Sequence, residues 1–154
     1  MALSFYQTYL HIESFMKYGD PMQSVFSSRV IDRALLRIES YKKLTALLQS
    51  TANNEGISSL SVKVLSNFMD TTTQDITSTL KKLSDFGIIQ SNRSLNEFKV
   101  LQPDLEQSPI GLAQSLLRLL VDKPDCSFQQ QADELQVSLQ ELEILYGYFV
   151  IILK

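Results

Sequence analysis

The sequence predicts a mainly α-helical fold with a small β-wing, and three observations lead to this prediction. Apolar residues recur at intervals of three and four along most of the chain, which is the period of amphipathic helices. Two apolar runs, at residues 88–89 and 98–101, flank a polar loop and predict a pair of short strands. The hydrophobic fraction of 44% and the charged fraction of 20% are typical of a soluble globular protein. A length of 154 residues therefore accommodates one compact domain or two small ones.

Residues 1–56 are predicted to form helices that serve packing and dimerisation. Residues 3–18 are apolar on nearly every side of a helix, so they need burial all round, and a second subunit could complete it. Residues 19–21, Gly-Asp-Pro, end this segment. A long amphipathic helix is predicted from about residue 23 or 24 to residue 50. We therefore expect a homodimer.

Residues 57–102 carry the sequence pattern from which a function can be predicted. A helix over 61–69, which Ser61 can cap, is followed by a polar turn at 70–72 and a second helix over 73–86. Gly87 stops that helix, and the two short strands with their polar loop follow. A short strand at Ile57 is expected to pair with this wing. The order predicts a winged helix-turn-helix, in which the second helix can lie in a DNA major groove.

The helix over 73–86 has two different faces. Ile76, Leu80 and Leu83, with Phe86 beside them, are expected to face inward. They would pack against three residues of the preceding helix, namely Val62, Leu65 and Phe68. The outward face would present Gln74, Ser78, Lys81, Lys82 and Asp85, with Thr77 at its edge. Glutamine can read base edges and lysine can contact phosphates, although Asp75 and Asp85 would repel phosphate.

The candidate DNA contacts lie in the turn, on the outward helix face and in the wing. Threonines 71 to 73 and the helix N-terminus can bind backbone phosphates. Arg93 is the one strong cation of the wing loop and could reach a minor groove or a phosphate. The candidates are Thr71, Thr72, Thr73, Gln74, Thr77, Ser78, Lys81, Lys82 and Arg93.

Residues 103–154 are predicted to form a C-terminal helical unit. A helix over 110–121 would bury Leu112, Leu116, Leu119 and Leu120. Helices over 128–135 and 139–149 then weakly repeat the first plan, after a one-residue shift in the turn, which makes a second winged-helix-like unit possible. The run at 150–153 is either a strand or a continuation of the last helix. With Leu139 inward, the outward face would carry Gln140, Glu141, Glu143, Ile144 and Gly147, which suits a protein partner better than DNA.

The distribution of charge agrees with this division. The net charge is −3, which argues against a protein that coats nucleic acid without specificity. Residues 1–102 hold 11 Lys/Arg and 9 Asp/Glu, whereas residues 103–154 hold 3 and 8. Phosphate contacts are therefore expected from the first two-thirds, and protein contacts from the acidic C-terminal third.

The central unit resembles the winged helix-turn-helix superfamily through four stretches of sequence. They are Leu65-Ser66-Asn67-Phe68-Met69, Thr73-Gln74-Asp75-Ile76, Leu80-Lys81-Lys82-Leu83 and Phe86-Gly87-Ile88-Ile89. Within the superfamily it looks most like the MarR type, which implies a dimeric transcriptional regulator that binds double-stranded DNA. The C-terminal third departs from that type. A tandem winged-helix architecture, as in several adaptor and chromosome-associated proteins, is the competing resemblance.

Residue types suited to catalysis are scarce. His11 lies in the aromatic N-terminal segment, and Cys126 has no histidine near it in sequence. The five glycines form no phosphate-binding loop. We therefore expect that the protein is not an enzyme, that it has no cofactor, metal site or membrane span, and that it is cytoplasmic. Two functions stay open: a sequence-specific DNA-binding regulator that acts as a dimer, or a winged-helix protein-interaction module in a larger assembly.

Overall fold

The computed structural model describes residues 27–154, which are mainly helical with one small antiparallel sheet. This confirms the predicted mainly-α class with a small β part. The helix predicted at residues 3–18, and the dimer contact assigned to it, lie outside the described residues. The elements in chain order are α1 (Ser28–Ser50), β1 (Ile57–Ser58), α2 (Val62–Phe68), α3 (Thr73–Asp85), β2 (Ile89–Ser91), β3 (Phe98–Val100), α4 (Pro109–Asp122), α5 (Phe128–Leu135) and α6 (Leu139–Leu153).

The described residues divide into two compact units, and α1 contributes to both. One unit holds residues 27–38 with 109–154, and the other holds Glu39–Ser108. The α1 helix forms because its apolar residues share one face, and Ser27 accepts a hydrogen bond from the Val30 amide at its start. The buried positions of α1 follow the expected period and are Ile31, Ala34, Ile38, Tyr41, Leu44, Thr45 and Leu48.

In the unit Glu39–Ser108, α2 and α3 form the first helix pair, joined by a short turn. The Ser61 side chain caps α2 by accepting a hydrogen bond from the Val64 amide, as predicted. Asp70 ends α2 in the left-handed conformation, with φ at 53°. The Thr71 amide then donates to the Ser66 carbonyl at 3.0 Å, which satisfies a carbonyl that the helix end leaves open.

Gly87 ends α3 in the same way, at φ +73°. The Ile88 amide donates to the Leu83 carbonyl at 2.9 Å, and the side chains of both residues are buried. A residue with a side chain is strained in this conformation, which is why glycine is common at the position. The chain leaves α3 here and enters the sheet.

The sheet has the order β1-β3-β2 with antiparallel pairing throughout. Ile57 pairs with Lys99 and Ser58 with Phe98, so the predicted pairing of a short strand at Ile57 with the wing is confirmed. The strand predicted at residues 98–101 is β3, and it ends at Val100 and not at residue 101. Leu101 is exposed because the chain turns there. The backbone amides of residues 101 and 102 both donate to the Ile88 carbonyl.

The core of this unit contains the inward residues predicted for α3, together with apolar residues of α2 and the sheet. From α2 to β3 the buried apolar side chains are Leu65, Ile76, Leu80, Leu83, Ile88, Ile89 and Phe98. The prediction that Phe68 packs in this core is wrong, since its side chain is 67% exposed. The short α2 is rotated so that Leu65 and Ser66 face inward, and the Ser66 hydroxyl is satisfied by donating to the Lys63 carbonyl.

In the other unit, α4 buries one face and α6 is a single long helix. Leu116 and Leu120 of α4 are buried as expected. Leu112 is exposed and Leu119 half-buried, because the inward face of α4 also includes Ile110, Ala113 and Leu117 and is therefore rotated away from Leu112 and Leu119. The run at 150–153 continues α6 as a helix, so residues 127–154 contain no strand. Leu139 was expected inward but is 49% exposed at the first position of α6.

Buried polar bonds hold α5 against α6. The Tyr146 hydroxyl donates to Oε1 of Gln131, and Nε2 of Gln131 donates to the Cys126 carbonyl at 3.0 Å. The Tyr146 ring packs edge-on against the rings of Phe128 and Phe149. Burial of the Gln131 amide is thus balanced by two hydrogen bonds, so it adds specificity to an apolar core.

Helices α5 and α6 form a second helix pair, and its cap residues and turn lie at the same spacing as those of α2 and α3. Ser127 caps α5, Gln136 ends it in the left-handed conformation, and Ser138 caps α6. These residues follow Ser61, Asp70 and Thr72 at one constant interval along the chain. The expected one-residue shift in the turn is therefore wrong, because the caps keep one interval. The two pairs differ in that α5 runs one residue further than α2, and in that β2 follows α3 where α6 continues.

We expect Gly87→Ala to lower the free energy of unfolding by about 1–2 kcal/mol, because an L side chain is strained at this φ. A Cβ at this position would meet no atom within 4 Å, so the loss would be conformational and not steric. Gly87→Asn should recover part of the loss, since asparagine tolerates the left-handed region. Urea unfolding measures both changes, and an alanine variant as stable as the parent contradicts the explanation.

Candidate nucleic-acid interface

The N-terminus of α3 is fixed by two neighbouring threonines. The Thr72 hydroxyl accepts a hydrogen bond from the Asp75 amide at 3.1 Å and caps the helix. The Thr71 hydroxyl donates to the Asp75 carboxylate at 2.9 Å. Both threonines are exposed. A phosphate would compete with Asp75 for the Thr71 hydroxyl proton, whereas the Thr72 hydroxyl only accepts in its capping bond and can still donate its proton.

The outward face of α3 is polar and exposed along its length. Gln74, Ser78 and Lys81 follow one another at intervals of four and three, and all are exposed. Thr73 and Thr77 lie beside them and are exposed, with the Thr77 hydroxyl donating to the Thr73 carbonyl at 2.8 Å. All three apolar residues of α3 are buried on the opposite side, as predicted. A continuous polar surface therefore remains for a ligand.

Lys82 and Asp85 modify this surface. Lys82 is half-buried, so it presents less of its length to solvent than Lys81 does. Asp85 is exposed at the end of the outward face, where its charge opposes a nearby phosphate. The carboxylate of Asp75 is held by Thr71 at the N-terminus of the helix, where the helix dipole favours a negative charge.

Asn92 organises the loop that carries Arg93. Its side-chain oxygen accepts hydrogen bonds from the backbone amides of Asn96 and Glu97, and its backbone amide donates to the Glu97 carbonyl at 3.2 Å. Arg93 follows directly and is exposed. The loop is therefore folded by local bonds while its single cation remains accessible.

Two exposed cations of the α2–β3 segment were not among the sequence-based candidates. Lys63 lies on α2, and Lys99 lies on β3. The signal for Lys99 was the alternation of buried Phe98 with an exposed neighbour, which is typical of a strand with one buried face. These two lysines add to the positive charge supplied by Lys81 and Arg93.

The same positions in the second helix pair have different chemistry. Where α3 has Gln74, Ser78, Lys81 and Asp85, α6 has Gln140, Ile144, Gly147 and Ile151. The cation is absent and two of the four positions are apolar. As predicted, Glu141 and Glu143 are exposed on α6, and Ile144 is 50% exposed. This face offers no attraction to phosphate.

An open groove of about 770 Å³ lies between the α4–α5 loop and α5. Its wall holds four carboxylates, of residues 122, 125, 133 and 134, and Lys123 donates to Glu134 at 2.6 Å. Cys126 also lines the groove, but burial raises the pKa of its thiol, which leaves less of the reactive thiolate at neutral pH. Within residues 27–154, no three His, Cys, Asp or Glu side chains are grouped to hold a metal ion. We find no catalytic arrangement in this groove.

Comparisons with protein-family models, with curated proteins and with solved structures find no match to this chain. Among the described helices, none alone is long and apolar enough to cross a membrane. The pair α5 and α6 passes that criterion jointly, but it is bent by 97° between the two helices.

We expect Thr72→Ala to lower the free energy of unfolding by about 1 kcal/mol, because the Asp75 amide loses its acceptor at the start of α3. Thr73→Ala is the matched control, since Thr73 is the first helical residue and alanine is well tolerated there. Thermal unfolding followed by circular dichroism measures both. Equal effects of the two substitutions would contradict the capping role.

Proposed function

We propose that residues 57–102 are a winged helix-turn-helix that binds double-stranded DNA and that the protein is a sequence-specific transcriptional regulator. The observation that carries the proposal is the polar, exposed face of α3, with Gln74, Ser78 and Lys81 in one row. The order of α2, α3 and a three-stranded antiparallel sheet supports the fold part of the proposal. The second helix pair would be a related unit without a wing.

In this proposal α3 enters the major groove. Gln74 is near the start of the helix, where recognition helices contact base edges, and its amide can pair with adenine. Lys81 lies two turns further along and reaches a phosphate or a guanine. The hydroxyls of Thr71 and Thr72, with the N-terminus of α3, contact DNA phosphates. Thr71 exchanges its bond to the Asp75 carboxylate, whereas Thr72 donates its proton while its oxygen still accepts from the Asp75 amide.

Arg93 extends the contact to the wing. Its loop is held by Asn92, so the guanidinium is carried on an ordered support and can approach a minor groove or a phosphate. Few cations take part in each subunit. A single copy is therefore expected to bind weakly, and a dimer that contacts two half-sites would double the number of neutralised phosphates.

Fluorescence anisotropy with a mixed-sequence duplex between about 50 and 200 mM salt tests the proposal. We expect Lys81→Ala to weaken binding at low salt and to reduce the slope of log K against log salt by about 1, the value for one lost phosphate contact. Lys43→Ala is the control, since Lys43 is an exposed cation of α1 and the substitution changes the net charge equally.

Selection of bound sequences from a random duplex pool tests the specificity. We expect Gln74→Ala to relax the preference at one base pair, at about 1–3 kcal/mol of discrimination. An absence of binding at low salt, or equal effects of Lys81→Ala and Lys43→Ala, would show that α3 does not face DNA.

One observation favours the alternative function, a protein-interaction module. Phe68 is 67% exposed and Val64 37% exposed, and the two lie one turn apart on α2. If that alternative holds, Phe68→Ser should leave the free energy of unfolding within about 0.5 kcal/mol of the parent, as for a surface position, and abolish binding of a protein partner. In the DNA-binding function the same variant should retain DNA affinity.

A further inference from the structure

The outward face of α6 carries an apolar row, formed by Ile144, Gly147 and Ile151 after the polar Gln140. Gln140, Ile144, Gly147 and Ile151 follow at intervals of four, three and four, the spacing with which one helix packs along another. Ile144 is 50% exposed, and Gly147 and Ile151 are half-buried. The buried side chains of α6, among them Leu142, Tyr146 and Phe149, occupy its other side. The apolar row is therefore not required by the core that α6 already serves.

Gly147 is unusual in the middle of this helix. Its backbone is helical, and a Cβ built on it would meet no atom within 4 Å. A glycine in a helix interior costs about 0.5–1 kcal/mol relative to alanine. Within the described residues no side chain or backbone approaches closely enough to require it. The close approach of another helix, which a glycine permits, would account for it.

The charges at the two ends of the row select the orientation of such a helix. Glu143 lies before Gly147 and Lys154 after it, and both are exposed. If two copies of α6 cross antiparallel beside Gly147, Ile144 of one copy lies opposite Ile151 of the other. At a rise of about 1.5 Å per residue, Glu143 then lies within about 3 Å of Lys154 of the second copy, measured along the helix axis. A parallel pair would place like charges together.

We propose that α6 is the surface through which two copies of this chain associate, as an antiparallel helix pair that crosses at Gly147. The contact is isologous, so each isoleucine and each opposite-charge pair occurs twice. One helix pair covers less than the roughly 1,200 Å² of a standard interface, so the association is weak and depends on protein concentration. The inference is independent of DNA binding, because it concerns a different helix pair.

Sedimentation equilibrium without DNA tests the proposal. We expect a monomer–dimer equilibrium whose dissociation constant rises at least tenfold in Gly147→Leu, because the side chain separates the crossing helices. Gly147→Ala should weaken association less while raising the thermal stability of the monomer, since alanine favours the helix. Circular dichroism of each variant verifies that the helices are intact.

A charge exchange keeps the test decisive even if Gly147→Leu folds poorly. Glu143→Lys and Lys154→Glu should each weaken the dimer, and the double variant should restore it, whereas Glu55→Lys, in an exposed turn, should have no effect. A chain that stays monomeric up to millimolar concentration overturns the proposal. So does a dimer that neither Gly147→Leu nor the charge exchange alters. Either result leaves the DNA assay of Lys81→Ala unaffected.

Discussion

Both helix pairs depend on the same short connection, in which a left-handed residue ends one helix and a hydroxyl side chain caps the next. Asp70 and Thr72 form it in the first pair, and Gln136 and Ser138 form it in the second. The connection satisfies the backbone groups that two adjacent helix ends would otherwise leave open. Because it fixes where the second helix begins, it also fixes which of its residues face the core and which face solvent.

Much of the fold follows from the sequence where a helix is long enough to define its faces. Three helical turns of α3 placed Ile76, Leu80 and Leu83 inward without ambiguity. In α2, which has only seven residues, the apolar pattern favours an inward face with Leu65 and Phe68, whereas the structure buries Leu65 and Ser66. A buried serine was not expected there, because its cost is removed by a local hydrogen bond that composition does not reveal.

The sequence predicts which residues form the candidate site, but not which of their side chains already form hydrogen bonds within the chain. The exposed row on α3 follows from helical period alone, whereas the bond from Thr71 to Asp75 depends on the local geometry of the turn. The constant spacing between the two helix pairs was also not predicted from the sequence. The second pair shares cap positions and burial with the first but few side chains, and α6 continues where the first pair enters a strand. One backbone arrangement thus presents a polar row on α3 and an apolar row on α6.

The buried Tyr146 has a consequence for how the second pair responds to its surroundings. Burial raises the pKa of its hydroxyl, so the proton shared with Gln131 is retained at neutral and moderately alkaline pH. Burial also raises the pKa of the Cys126 thiol. The backbone carbonyl of Cys126 accepts the hydrogen bond that the Gln131 side chain donates. Neither the Tyr146 hydroxyl nor the Cys126 thiol therefore changes its charge around neutral pH. The hydrogen bonds from Tyr146 to Gln131 and from Gln131 to Cys126 therefore persist as the pH of the solution changes around neutrality.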